Sequence, residues 1–504
     1  MLRRFFSLEY KYLVAAVFIF GMFMDMVDMT VVNVAIPDLS REFHASTSAV
    51  EWTVTGYMLS LAVFIPAAGF LSDRFGTKRC FLIAMAIFVL ASGLCGQAHS
   101  LNELIAFRIF QGVGGGMMTP VGTAMLSREF PGAERAKASA IISIPIVFAP
   151  MFGPVFGGYL VEYVSWRWIF YINLPIGIMG LLFGMRVLKE HKEDYAQKGF
   201  DYVGLLSGGI GAAMVLYALS SAATDGWTSG KVLAFGLTGL AMLIGFVLFE
   251  LRARPPIIDV TLFKRPLFAL GNAMLIPAFG MFSGFIFIFT LFLQEFQGRT
   301  PFESGLIQAP ASIAMAVSLP IASRMYPRLG PKKMLFGGFF FSIFTMMPFA
   351  LLQHGTPAWA IIMLLFVRGL PFAFAMVAAQ TIIYGPLESE KQGPASSAYN
   401  TLRQVAASFG VALVATLEIS RVSSHVHSAV TSQHLQAPTQ AIIQQATQRG
   451  YQEVFFFCAL AMAIPVILSF FVDNKQAEDT LARRVAEREA AGGAPAAVPS
   501  SAAH

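Results

Sequence analysis

Residues 65–82 read IPAAGFLSDRFGTKRCFL, and residues 319–336 read LPIASRMYPRLGPKKMLF. Laid one over the other, Pro66, Arg74, Gly76 and Lys78 fall on Pro320, Arg328, Gly330 and Lys332. In both copies an apolar run of helical length leads into a short basic loop, and a second apolar run follows. A helix-turn-helix unit that recurs in this way marks a duplicated chain with two parallel halves.

The rest of the chain extends this pattern. Of 504 residues, 56% are hydrophobic and 13% charged, whereas soluble domains carry about a quarter charged residues. The apolar residues come in blocks of roughly twenty, long enough to cross a hydrocarbon layer of about 30 Å as helices. Fourteen such blocks are expected, from 13–36 to 452–472. The fold class is therefore an all-α polytopic membrane protein. Residues 1–190 are expected to form an N-terminal six-helix bundle and 266–472 a C-terminal one, with two extra spans, 201–222 and 231–250, in a linker at 191–265. Residues 473–504 turn charged and then Ala-, Pro-, Gly- and Ser-rich, a composition that buries no core, so a disordered cytoplasmic tail is expected.

Lys and Arg set the orientation, because basic loops stay in the cytoplasm. With both termini inside, most cations, among them Arg3, Arg4, Arg74, Lys78, Arg79, Lys332 and Lys333, lie at inner membrane ends facing anionic membrane lipids. The net charge of +6 is thus explained by topology and gives no reason to expect nucleic acid. The first apolar block is too long for a cleaved signal and lacks a small-residue cleavage site, so it is expected to remain as the first helix. Cys80, Cys95 and Cys458 have neither metal nor redox spacing, and no disulfide is expected. There is no Walker-type phosphate loop to support ATP-driven pumping. No cofactor or enzymatic activity is expected.

Four motifs carry a resemblance that covers nearly the whole chain. The loop Gly69-Phe-Leu-Ser-Asp73-Arg74-Phe-Gly76-Thr-Lys78-Arg79 combines turn-permitting glycines with an acid able to pair with basic residues. Helix one carries Asp28-Met-Thr30-Val-Val-Asn33-Val-Ala-Ile-Pro37, and helix four Arg108-Ile-Phe-Gln111-Gly112-Val-Gly114-Gly115. Helix six starts Trp166-Arg-Trp-Ile-Phe-Tyr-Ile-Asn173-Leu-Pro175. In type and order these resemble the major facilitator superfamily, and with fourteen spans its EmrB/QacA-type drug:proton antiporters. Helix five adds Gly153-Pro154-Val-Phe-Gly157-Gly158, similar to the motif associated there with antiport; the fuller pattern has glycines where this chain has Ala140 and Ala149. The resemblance implies alternating access about a midplane site, with the 69–79 loop as gate.

Ionisable residues inside a bilayer cost several kcal/mol and invite a functional reading. Asp25 and Asp28, three apart, share a helix face. Two neighbouring carboxylates resist simultaneous ionisation, so either is a candidate proton carrier, and Asp25 is equally a candidate for direct substrate contact. A rise of about 1.5 Å per residue puts Asp28 and Arg108 at a similar depth, where Arg108 could pair with the ionised acid or else snorkel outward. Asn33, Gln111, Arg368 and Arg403 are candidates for a substrate cavity, Arg403 equally for a structural role. Glu295 and Glu418 are expected near the membrane surface. With 48 Phe and 25 Met, material for an adaptable apolar pocket is abundant. His425, His427 and His434 in the outer stretch 422–451 lack an acidic or cysteine companion in sequence, so a helical cap or a partner contact is expected there rather than a metal site.

The expected activity is export of a lipophilic or amphipathic small molecule in exchange for protons, from a multi-pass position in the inner membrane. The alternatives are export of a native lipid, fatty acid or metabolite together with a periplasmic adaptor protein, or a non-transporting receptor or scaffold.

Overall fold

The computed structural model describes residues 9–130, 135–191, 201–253, 256, 258–385, 387, 391–432 and 437–473. The expected tail at 474–504, Arg3, Arg4 and His434 lie outside them, as do the side chains of Asp73 and of residues 135–147, Ala140 included. Every regular element among the described residues is a helix.

The long helices are α1 (Tyr10–Glu42), α2 (Trp52–Phe75), α3 (Thr77–Gly96), α4 (Leu101–Glu129), α5 (Arg135–Tyr163), α6 (Asn173–Val187), α7 (Tyr202–Asp225) and α8 (Gly230–Glu250). They continue as α9 (Pro266–Leu291), α10 (Pro301–Met346), α11 (Ala358–Tyr384), α12 (Gln392–Ser432) and α13 (Gln440–Ala461), the last followed by a short helix, Ala463–Ser469. Their starts are written locally. Ser100, Ser229 and Thr439 accept hydrogen bonds from the backbone N–H three residues on, and Thr300 and Glu303 form a reciprocal capping box. Among the described residues, eleven stretches are long and apolar enough to cross a bilayer. The helices α4 and α5, 29 residues each, stand outside that number, and the expected blocks 304–326 and 333–352 are joined in α10.

The join in α10 is a sharp break. Gly330 has φ 73° and ψ 167°, and its repeat partner Gly76, between α2 and α3, has φ 97° and ψ 144°. Both lie in backbone space that side-chain-bearing residues rarely enter. The lysines two residues on match as well: Lys78 Nζ donates to the carbonyl of Met185 (2.9 Å) near the end of α6, and Lys332 Nζ to that of Phe470 (2.8 Å) beyond α13. The sequence repeat is therefore a repeat of backbone geometry and of anchoring.

Within the first six helices, α4 packs on α2 and α3, and α1 on α4, α5 and α6. In the later helices α9 packs on α12, and α10 on α11. The second pair, α7 and α8, pack on each other. α7 reaches further: Leu216 and Ala212 meet Leu59 of α2 and Ala412 of α12, while α8 leaves Leu237, Leu240, Ile244 and Leu248 exposed, as a lipid-facing helix would.

Contacts between the early and late helices gather toward the end of the molecule that carries the α1–α2 connection. Gln294 donates to the Val34 carbonyl (3.0 Å), and the Phe302 N–H to Glu162 (3.1 Å). Glycines let α5 and α10 touch there: a side chain on Gly158 would strike the backbone of Pro301 and Phe302, and one on Gly305 the backbone of Pro154 and Val155.

Replacing Gly330 or Gly76 by Ala is expected to cost about 1–3 kcal/mol each through backbone strain. The Gly76 change should be worse, because its new Cβ would collide with the Glu190 carboxylate. Gly337→Ala, in open helical space, should leave the thermal unfolding midpoint of the detergent-solubilised protein unchanged or raised. Equal midpoints for all three variants would refute the strain argument.

Candidate functional site

The two charges that share a depth meet. Arg108 of α4 and Asp28 of α1 form an ion pair through Nη1 and Oδ2, with 1% and 0% of their side chains exposed. Burying two ions costs several kcal/mol each unless every polar atom is satisfied. Here further hydrogen bonds and ring contacts reach the pair from four helices and the turn before one of them. Arg108 Nη1 also donates to Gln111 Oε1 (2.7 Å), and Nε to the Thr53 carbonyl of α2 (3.0 Å). Asp28 Oδ1 accepts from Gln111 Nε2 (3.0 Å) and from Asn173 Nδ2 of α6 (3.2 Å), and Asn173 also donates to Ser92 of α3 (3.0 Å). The guanidinium lies over the Tyr57 ring at 4.0 Å, with Phe170, from the turn before α6, at 5.7 Å.

Asp25, one helical turn before Asp28, is held separately. Tyr57 Oη donates to its Oδ1 at 2.5 Å and Thr119 Oγ1 to its Oδ2 at 3.2 Å. Gly115 of α4 is what admits this arrangement, since a Cβ there would press on Asp25 Oδ1 and Tyr57 Oη. Tyr57 thus joins the two acids: its hydroxyl bonds Asp25 while its ring face supports the cation that neutralises Asp28.

Gln111, expected to line a cavity, is fully buried inside this network. Asn33 stands two turns along α1 from Asp25, buried, with Oδ1 unpartnered. In the later helices Arg368 is buried with its guanidinium 3.8 Å above Phe285 and its Nε unpartnered, and half-buried Arg403 lies 5.7 Å from the Phe279 ring. Glu295 is exposed and Glu418 half-buried.

The basic loop is fastened to its own half. Glu190 accepts from the backbone N–H groups of Lys78 (3.1 Å) and Arg79 (3.2 Å) and pairs with the Arg79 side chain (3.6 Å). A carboxylate there also complements the positive N-terminus of α3. Arg74 lies against Phe70 and Phe75, and Gly69 faces open space. In the α5 motif, Gly153 and Gly157 receive Thr30 and Val31 of α1, Gly158 receives α10, and Ala149 is fully buried.

Sequence reasoning missed Tyr57, Thr119, Ser92 and Glu190, and the buried Glu51, which accepts from Thr55 (3.2 Å) and leaves its second oxygen unpartnered. It sought formal charge at mid-membrane, and neutral hydroxyls in apolar runs give little signal. It also denied His425 an acidic companion. The fold supplies one: Glu453 of α13 lies 2.8 Å from His425 and 3.5 Å from Arg421. The expected cap is largely helix, with α12 running to Ser432 and α13 starting at Gln440. Cys80, Cys95 and Cys458 are buried, and Cys80 Sγ donates to the Leu71 carbonyl (3.1 Å). No group of three or more metal-ligating side chains occurs among the described residues.

The chain can now be set beside known proteins. It is 30% identical over 447 residues to the multidrug export protein EmrB of Haemophilus influenzae, covering 88% of this chain and 87% of that one. It is 32% identical over 411 residues to the fatty acid resistance protein FarB of Neisseria gonorrhoeae, covering 80% of each. The fold matches a bacterial homologue of the human lysosomal transporter Spinster, solved inward-facing and unoccupied, with a TM-score of 0.63 at 15% identity over 95% of this chain and 98% of that one. The profile of the Major Facilitator Superfamily matches residues 18–411. With its buried ion pair set among membrane-length helices, this chain belongs to the Major Facilitator Superfamily and is a multi-pass membrane transporter.

Proposed function

We propose that the protein is a proton-coupled antiporter that exports lipophilic or amphipathic small molecules by alternating access. The observation that carries this reading is the fully buried Asp28–Arg108 pair with Asp25 one turn away. A proton arriving on Asp28 removes the charge that Arg108 was buried to meet, so proton state and helix packing are linked. The multidrug export relative supports drugs as cargo. A proton-motive force of about 150 mV supplies roughly 3.5 kcal/mol per proton, enough for a gradient of a few hundredfold in an uncharged cargo.

In this reading the chain crosses the membrane fourteen times with both termini in the cytoplasm, α10 crossing twice around Gly330. Residues 1–190 and 266–472 are the moving bundles, and 191–265 adds α7 and α8. The joined end that carries the α1–α2 connection is then the outer one, closed in this structure. The 69–79 loop gates the inner end, and the Gly153–Gly158 segment bears on the outer closure. The fatty acid resistance relative favours a second reading, export of a native fatty acid or lipid. The helical extensions of α12 and α13 past residues 421 and 452 then offer a contact for a periplasmic adaptor.

In proteoliposomes with an imposed pH gradient, Asp28→Asn is expected to abolish gradient-driven export of a lipophilic dye. Retained coupling would remove Asp28 from the mechanism. The single variant also strands Arg108, which should lower stability by about 3–5 kcal/mol. Adding Arg108→Gln should restore most of the thermal stability without restoring coupling. A double variant no more stable than Asp28→Asn would mean that the pair does not dominate the packing here.

A further inference from the structure

The exposed apolar side chains of α13 and of the short helix after it, Phe456, Leu460, Ile464, Ile467 and Phe470, run in a stripe that suits lipid and stops short of Glu453. On the neighbouring α12 the change comes at the matching level: beyond Arg421 its exposed residues are Ser423, Ser424, His427, Ser428, Thr431 and Ser432, all polar. Arg421 and Glu453 therefore stand where hydrocarbon gives way to headgroups. This is also the level of the α1–α2 connection. Thr416 donates to the Leu219 carbonyl of α7 (3.0 Å), and the next residue, Ser220, meets Ser48 of that connection (3.4 Å). In the antiport topology it is the outer leaflet.

At that level a cleft of about 300 Å³ lies between α12 and α13. Leu417 and Phe457 line it, exposed Phe456 and Leu460 flank it on the lipid side, and Arg421 and Glu453 stand at its polar end. The polar end is only loosely closed on itself. Arg421 Nε stands 3.5 Å from Glu453 Oε2, while Glu453 Oε1 is held by His425 at 2.8 Å. With 58% of the Arg421 side chain exposed, its terminal N–H groups are left for an anion, and a carboxylate with two such partners keeps lone pairs for an ammonium.

We propose that this cleft is a phospholipid site: it holds one acyl chain of a lipid with a primary-ammonium headgroup against Leu417 and Phe457, the phosphate on Arg421 and the ammonium on Glu453. The volume lies at the lower end of that of small-molecule sites, which fits a single chain. Moving a chain from bulk lipid into the cleft gains only packing, because lipid tails are as apolar as the cleft walls. Selection therefore falls to the headgroup. A primary ammonium offers three N–H groups to Glu453, and a trimethylammonium offers none. A glycerol headgroup brings the negative phosphate with no cation to meet the carboxylate, a mismatch that disfavours it. The site uses neither Asp25 nor Asp28, so its failure leaves the antiport reading untouched.

The test is photolabelling of the full chain in phosphatidylcholine nanodiscs. The probes are trace phospholipids with a diazirine on the acyl chain and an ethanolamine, choline or glycerol headgroup, and labelled peptides are mapped by mass spectrometry. The ethanolamine probe is expected to label residues 417–421 and 454–460 about fivefold more than either other probe. Residues 237–248 of lipid-facing α8 should take all three equally. Arg421→Gln and Glu453→Gln should each level the probes at the cleft, and Arg421→Lys should keep the order. Leu417→Trp, which fills the cleft, should remove labelling there by every probe and leave that of α8 in place. Equal labelling of the unsubstituted cleft by the three probes, an order that survives Arg421→Gln, or cleft labelling unchanged by Leu417→Trp overturns the proposal.

Discussion

The ion pair between Asp28 and Arg108 sets the terms for everything around it. Two charges without water gain nothing from burial unless each lone pair and each N–H has a partner. That demand fixes where α1, α2, α3, α4 and α6 must stand, because the Thr53 carbonyl, Gln111, Asn173 and Ser92 come from different helices and converge on one point. The close approach of α4 is possible because Gly114 lies against the α3 backbone and Gly112 against α2. The glycines of this motif are thus the packing counterpart of its arginine.

From the pair, contacts run to the seam between the two sets of helices. Thr30, two residues past Asp28, bonds back to the Val27 carbonyl (2.9 Å) and packs on Gly153 of α5. One turn on, α5 meets α10 backbone to backbone at Gly158 and Gly305. Backbone contacts have no side chain that can yield, so a shift of α1 that displaces α5 must also displace α10. In the antiport reading, this short route lets a proton at mid-membrane be felt at the outer closure.

Much of this was legible in the sequence. The aligned Gly76 and Gly330 are a repeat of two residues in the same rare backbone region, and matching depth along two helices placed Asp28 beside Arg108. The remainder depends on relations that one-dimensional patterns do not hold. Glu190 closes the α2–α3 turn from far along the chain, and Glu453 reaches His425 only because α12 and α13 are antiparallel neighbours. Gln111 has the same letter whether it lines a cavity or completes an ion pair. Only the position of Asp28 Oδ1 decides between them.

The two sets of helices are also unlike in charge. The first buries an acid and a base that cancel, plus Asp25 and Glu51; the later helices carry Arg368 and Arg403 with no carboxylate against either among the described residues. Arg368 rests on the Phe285 face, and a desolvated cation–π contact is worth about 2 kcal/mol, less than the cost of burying the ion. The later helices therefore hold positive charge that no carboxylate meets among the described residues, where the first set holds a neutral pair.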